Sequence, residues 1–203
     1  MCIRDRYYLA YKNPVGIIRA ITRRREPIYH ALLPFSPEEE VLLDFSWEMD
    51  NLMAIRGEFP FVRKVHLTEM GMVVIVQIEK GDEEDGRRLI EHFFRQPFVK
   101  VVIVVDEDVN IYRLDEVFWA VATRTQPLED VVVKGDLPGL MIDPTILGGE
   151  FSPDYLYTMI PKTSKIGIDA TKPLKERERF EKVDVPKDVR VRVEEIARRY
   201  IIS

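Results

Sequence analysis

The sequence predicts an α/β fold: a layered sheet of mixed strands with flanking helices, preceded by a β-hairpin and followed by an extended arm and a C-terminal helix. Three observations predict it. Runs rich in β-branched residues alternate with segments whose apolar residues recur every three or four positions. One run, Val99-Lys100-Val101-Val102-Ile103-Val104-Val105, is almost continuously apolar, as a strand buried on both faces requires, and belongs at the centre of the sheet. The composition, 46% hydrophobic and 32% charged over 203 residues, is that of an ordinary globular chain.

The elements follow in order. Residues 15–23 and 27–33 are β-branched and apolar around the polar turn Arg23-Arg24-Arg25-Glu26, which predicts the hairpin. Ser36-Pro37-Glu38-Glu39 supplies a helix start, with a Ser cap, a Pro at the first helical position and a Glu at the third. That helix is expected to run to about Arg56 and close at Gly57, with Val41, Leu42, Phe45, Met49, Leu52 and Met53 forming a stripe that faces a core. Residues 62–68 and 73–79 predict two strands around Gly71, and residues 83–95 an amphipathic helix through Leu89, Phe93 and Phe94. After the central strand comes a helix over residues 114–124, with Val117, Phe118, Ala120 and Val121 inward, then a short strand at 131–133. Periodicity fails from Gly135 to Pro161, which reads as a long ordered loop or arm. A charged tether precedes a last helix over 188–201.

Composition also excludes function classes. No apolar run reaches the roughly 18 residues that span a bilayer. A net charge of -5, with no basic face interleaved with aromatics, argues against nucleic acid as a partner. The single cysteine, Cys2, forms neither an internal disulfide nor a multi-thiolate metal site, and the chain reads as cytoplasmic. Met1-Cys2-Ile3-Arg4-Asp5-Arg6 lacks the apolar core of a secretory signal. Its back-translation, ATG TGT ATA AGA GAC AGN, matches a transposon end used to tag sequencing libraries. Residues 1–6 therefore read as a library artefact, and the native chain as starting upstream of Tyr7.

Candidate chemistry is sparse. Asp106-Glu107-Asp108 follows the central strand, where open α/β sheets place ligands; two such carboxylates could hold a magnesium ion for phosphoryl transfer, but acids after a strand are more commonly turn formers and helix caps. No glycine-rich phosphate loop accompanies them. His30, His66 and His92 fall on different predicted elements without a metal-ligand spacing, and Ser46, Ser152 and Ser164 lack a nucleophile elbow. Trp47 and Trp119 fall on helix faces and read as packing.

Four segments in order carry a family resemblance: Ile21-Thr22-Arg23-Arg24-Arg25-Glu26-Pro27-Ile28-Tyr29-His30, Val104-Val105-Asp106-Glu107-Asp108-Val109-Asn110, Trp119-Ala120-Val121-Ala122-Thr123-Arg124-Thr125-Gln126-Pro127 and Ser164-Lys165-Ile166-Gly167-Ile168-Asp169-Ala170-Thr171. Together they resemble the C-terminal part of the UbiD decarboxylases. The resemblance implies reversible, non-oxidative decarboxylation of aromatic or α,β-unsaturated carboxylic acids with prenylated FMN, a divalent metal (Mn or Mg) and K. It further implies a flavin prenyltransferase as cofactor supplier and a homo-oligomer. It divides the chain into a central-domain tail at 7–33, a C-terminal α/β domain at 34–171, and a tether and helix at 172–203.

In the family an Arg and two acidic residues form the catalytic set. The last acid lies just before a Gly-Tyr-Tyr that matches Tyr7-Tyr8. Asp5 is two positions out of register with that acid, so this chain is expected to carry no catalytic or metal-binding residue and to be inactive alone. Three positions match family site residues: Leu140 and Ile142, in a loop whose apolar side chains close over the substrate, and Arg95, near a basic residue that reaches the cofactor phosphate. The match makes turn formation the favoured role of Asp106 and Asp108. Leu33-Pro34-Phe35 and residues 144–162 depart from the family pattern, which leaves the substrate open. A stand-alone, non-catalytic binding or assembly domain is the alternative.

Overall fold

The structure, a computed structural model, describes residues 15–29, 31, 36–68, 71–140, 143–146, 161–180, 183 and 185–200. The chain divides into two compact units, residues 1–171 and 172–203. In the first, a long helix α1 (Pro37–Glu58) leads into strands β1 (Val62–Thr68) and β2 (Val73–Ile78). Helix α2 (Asp85–Phe94), strand β3 (Val101–Asp106), helix α3 (Leu114–Arg124), the single turn α4 (Pro127–Asp130), and strands β4 (Val131–Pro138) and β5 (Lys162–Ala170) complete it.

The five strands form one mixed sheet in the order β1-β2-β3-β5-β4, with β2, β3 and β5 parallel and the outer strands antiparallel to their neighbours. The apolar run is the central strand, as its lack of alternation requires. Its residues divide by parity: Val102 and Val104 join Val74, Val76, Leu89, Phe93 and Ile55 on the face covered by α1 and α2, whereas Ile103 and Val105 meet Ile111, Val117 and Ala120 on the α3 face.

Local signals explain the boundaries. Ser36 Oγ accepts a hydrogen bond from the Glu39 amide at 3.3 Å, and Pro37 enters the first turn. Gly71, at φ +75°, turns β1 back into β2. Gly167 lets β5 press against α2, because a Cβ there would overlap the Ile90 side chain.

Several expectations fail in instructive ways. Residues 15–29 form no strand and are exposed, with only a bend at Arg25 and Glu26. A lone two-stranded ribbon has no surface to bury its apolar face, so β-propensity there does not make a hairpin. Of the expected α1 stripe, Leu52 packs on the core, but Val41, Leu42, Phe45 and Met53 are each more than 60% exposed, and Trp47 and Ile55 make the other inward contacts. On α3, Val117 and Ala120 are buried but Phe118 is exposed. Helix α1 runs two residues past Arg56, with Gly57 inside it, and α4 was not expected.

The largest miss is β5, which lies in the sequence beyond the predicted strands yet sits between β3 and β4. Its inward-facing Lys165 interrupts any apolar pattern. The region expected to be a long loop begins later than expected, because β4 continues to Pro138 across a register shift between Lys134 and Leu137. Asp136 adopts φ +59° there, which a short polar side chain tolerates. The remaining arm is described only at a short 3-10 turn, Pro144–Ile146, and its neighbouring residues.

The second unit contains a kinked 3-10 segment, Leu174–Phe180, and helix α5 (Lys187–Tyr200). The Arg190 amide of α5 donates to the Pro186 carbonyl at 3.0 Å. Val189, Val193, Ile196 and Tyr200 are exposed along it.

Candidate functional site

The two ends of the parallel strands differ in chemistry. At the C-terminal end, the Arg124 guanidinium, fully buried, donates to Asp106 Oδ2 at 2.9 Å and forks onto Asp108 Oδ1 and Oδ2 at 2.9 and 2.8 Å. It also lies 5.1 Å from the Trp119 ring centroid. A carboxylate pair that clasps a guanidinium in this way closes a turn and ties α3 to the sheet; it does not present open oxygens to a magnesium ion. Among the described residues, no group of three or more His, Cys, Asp or Glu is placed to hold a metal.

Beside this cluster, Lys80 pairs with Glu83 at 2.7 Å, and Asp169 accepts from the Thr171 amide at 3.0 Å and hydroxyl at 2.6 Å. Burial pushes the Asp169 carboxyl above the usual range, against the pull of Thr171 and Lys80. At the start of α2, burial would raise Asp85 too, but the Gly81 and Asp82 amides and Arg88 outweigh it and hold that carboxyl below its usual value.

Two clefts lie at the N-terminal end. One, of about 420 Å³, is lined by Lys100, Asp136, Thr145, Ile146, Lys162, Thr163 and Ser164. Its floor is organised by Asp143, which is 2% exposed. The Asp143 carboxylate accepts from Lys100 Nζ, from the Thr145 amide at 2.9 Å and hydroxyl at 2.7 Å, and from Thr163 Oγ1 at 3.4 Å. Burial would raise this carboxyl, yet Lys100 and Thr145 together hold it below the usual range. A second, apolar cleft of about 240 Å³ lies between Trp47, Leu67, Gly71, Phe98 and Val99.

In β5 Lys165 is 1% exposed and donates to the Gln96 carbonyl. Burial lowers its ammonium to about 8. The histidines do other work. His66 Nδ1 meets Glu48 Oε1 at 2.6 Å and its ring packs on Tyr112, while His92 packs on Phe59 and lies 3.5 Å from Glu58. His30 and Ser152 lie outside the described residues.

Comparison with known proteins decides the family. Residues 42–170 match the model of the 3-octaprenyl-4-hydroxybenzoate carboxy-lyase C-terminal domain, UbiD_C. The chain belongs to the UbiD family. The anhydromevalonate phosphate decarboxylase of Methanocaldococcus jannaschii is 36% identical to this UbiD domain over 91% of this chain and 42% of its own length. That of Methanosarcina mazei is also 36% identical, over 92% and 42%. The UbiD-class enzyme HmfF from Pelotomaculum thermopropionicum, solved in complex with FMN, superposes with a TM-score of 0.66 at 36% identity, covering 80% of this chain and 35% of that one. An evolved dimeric form of HmfF, in complex with prFMN, gives 0.58 at 34% identity, over 80% and 32%. This UbiD chain thus spans about two fifths of the length of the curated relatives it matches.

Within the UbiD domain, Arg95 caps the C-terminus of α2 with its side chain exposed, where a cation also suits the helix dipole. Leu140 is half-buried in the loop after β4, and Ile142 lies outside the described residues. Because α2 runs back to the start of β3 and the Gly139 amide donates to the Pro161 carbonyl just before β5, Arg95 and Leu140 share the N-terminal end of the sheet. Sequence reasoning missed Asp143, Lys165 and the Arg124 clasp. The available signal was weak: a Lys two residues before a glycine in a β-branched stretch, and an Arg at the end of an amphipathic helix.

Proposed function

We propose that this chain is the C-terminal domain of a carboxy-lyase that decarboxylates α,β-unsaturated or aromatic acids reversibly with prenylated FMN. The observation that carries this reading is the 36% identity to the anhydromevalonate phosphate decarboxylases across nearly the whole chain. A phosphorylated unsaturated acid of the anhydromevalonate phosphate type is accordingly the favoured substrate. Lys162, Thr163 and Ser164, in the cleft behind the Leu140 loop, are donors of the kind a phosphate uses.

The residues present suit the supporting part of a flavin site. Arg95 offers an exposed guanidinium for a cofactor phosphate, and Leu140 a half-buried apolar side chain for an unsaturated ligand. The prenylated flavin, when bound, supplies the electron sink that lets a carboxylate leave as carbon dioxide. Leu140 and Ile142 exclude water from that ligand, and Arg95 holds the cofactor in place. Among the described residues the acids Asp106 and Asp108 are committed to Arg124, and Asp143 to Lys100 and Thr145, so none of these three carries a proton-transfer step. The catalytic acids, the divalent metal and K belong to the rest of the protein, and the chain alone is inactive. A flavin prenyltransferase supplies the cofactor, and the exposed apolar faces of α1 and α5 suit a homo-oligomer. Among the described residues no helix is long and apolar enough to cross a membrane.

The test is to express the full-length gene with a flavin prenyltransferase and follow carbon dioxide release from anhydromevalonate phosphate and a panel of unsaturated and aromatic acids. Release by the full-length protein and none from this chain is expected. A full-length protein that binds no flavin and releases none would leave the non-catalytic assembly domain in its place.

A further inference from the structure

We propose that Asp143 is a positioning residue: with Lys100 and Thr145 it latches the loop after β4 onto the N-terminal ends of β3 and β5, and so holds Leu140 where the substrate meets it. The inference deepens the decarboxylase reading and rests on its placement of Leu140 at the substrate. The geometry of the latch stands by itself. Asp143 is a buried carboxylate that lies outside the strands, and its partners come from three places. Lys100 precedes β3, Thr163 lies in β5, and Thr145 lies in the short turn that follows. The Asp143 amide also donates to the Leu140 carbonyl at 2.9 Å, and the Ile146 amide to the Asp143 carbonyl at 3.2 Å.

One residue thus ends the turn that begins at Leu140 and starts the 3-10 turn that follows, through its backbone, and is pinned to the sheet through its side chain. Gly139 completes the seating, because a Cβ there would stand 2.7 Å from Ile146 Cδ1 and 3.0 Å from the Thr163 side chain. A buried carboxylate carrying a charge-assisted bond and several neutral ones is a costly device for an ordinary surface loop, and its loss frees a loop rather than a core. The consequence for binding is a matter of populations. If only a fraction of molecules hold Leu140 in place, the apparent affinity for substrate falls by that fraction, while the bound complex reacts at its usual rate.

The experiment uses the full-length, flavin-loaded protein and anhydromevalonate phosphate as the probe. Asp143→Asn, Thr145→Val, Leu140→Ala and the double variant Leu140→Ala/Asp143→Asn are compared by KM, by kcat and by amide hydrogen exchange at Asp143 and Thr145. Asp143→Asn is expected to raise KM about tenfold with kcat changed less than about twofold, and to speed exchange at both amides. In the Leu140→Ala background the same change should raise KM less than about twofold, because the side chain it positions is gone. Thr145→Val repeats the pattern in milder form if Asp143→Asn does not fold. Equal KM effects in both backgrounds, or unchanged exchange, would overturn the latch. A wild-type protein that decarboxylates nothing overturns the functional reading and the substrate half of this inference, while exchange still decides the latch.

Discussion

Lys165 offers a quantitative check on the packing of the sheet against α2. Its ammonium is 1% exposed, and burial lowers it from 10.5 to about 8. That difference corresponds to about 3 kcal/mol. The sign follows from proton counts. Below about 8 the group is charged in both states and the folded state carries the cost of burying the charge. Between about 8 and 10.5 the unfolded chain binds more protons than the folded one, so stability rises with pH through that window.

Lys165→Met keeps an unbranched stem of similar length and removes the charge, while the Gln96 carbonyl keeps a second donor, the Val99 amide at 3.3 Å. Repacking around the new side chain shifts the variant by a constant that does not depend on pH. The stability of the variant relative to wild type should therefore fall by about 3 kcal/mol between pH 7 and 10.5. Urea unfolding of both proteins across that range, read by Trp47 and Trp119 fluorescence, measures the difference. Parallel curves, within about 0.5 kcal/mol throughout, would refute the buried-ammonium argument.

Arg124→Met should destabilise the chain by about 3–5 kcal/mol in urea, since it leaves the buried Asp106 carboxylate without its guanidinium. Adding Asp106→Asn to it should recover part of that loss. Gly167→Ala should cost about 1–3 kcal/mol by thermal or urea unfolding, and combined with Ile90→Ala it should cost less than the sum of the two single changes, because the added methyl meets Ile90 Cγ2 and Cγ1, which that change removes. Asp85 sits below its usual carboxylate range, so its contribution is present above that range and disappears as pH falls through the lowered value. Asp85→Asn should accordingly flatten the acid limb of stability against pH, as followed by fluorescence.

Much of the fold was legible because local rules agree with the tertiary outcome. Helix α3 has the bounds its periodicity predicts, α1 starts at its Ser-Pro-Glu-Glu signal, and the apolar run is the central strand. Agreement fails wherever a residue type is used against its habit. Lys165 points inward from β5, so the strand carries no readable alternation, and the exposed stripe on α1 shows that amphipathic spacing identifies an apolar face without saying what covers it.

By itself, the sequence determined the α/β class, most of the elements and the UbiD family, because each rests on short-range periodicity or on ordered motifs that survive without coordinates. Only the tertiary structure decided which polar groups are buried together. Arg124 meets Asp106 and Asp108 across 18 and 16 positions, Lys100 meets Asp143 across 43, and Lys165 reaches Gln96 across 69. Separations of that size are set by sheet order, with β5 inserted between β3 and β4. The cost of burying a charge can be met only by a partner that this order brings alongside.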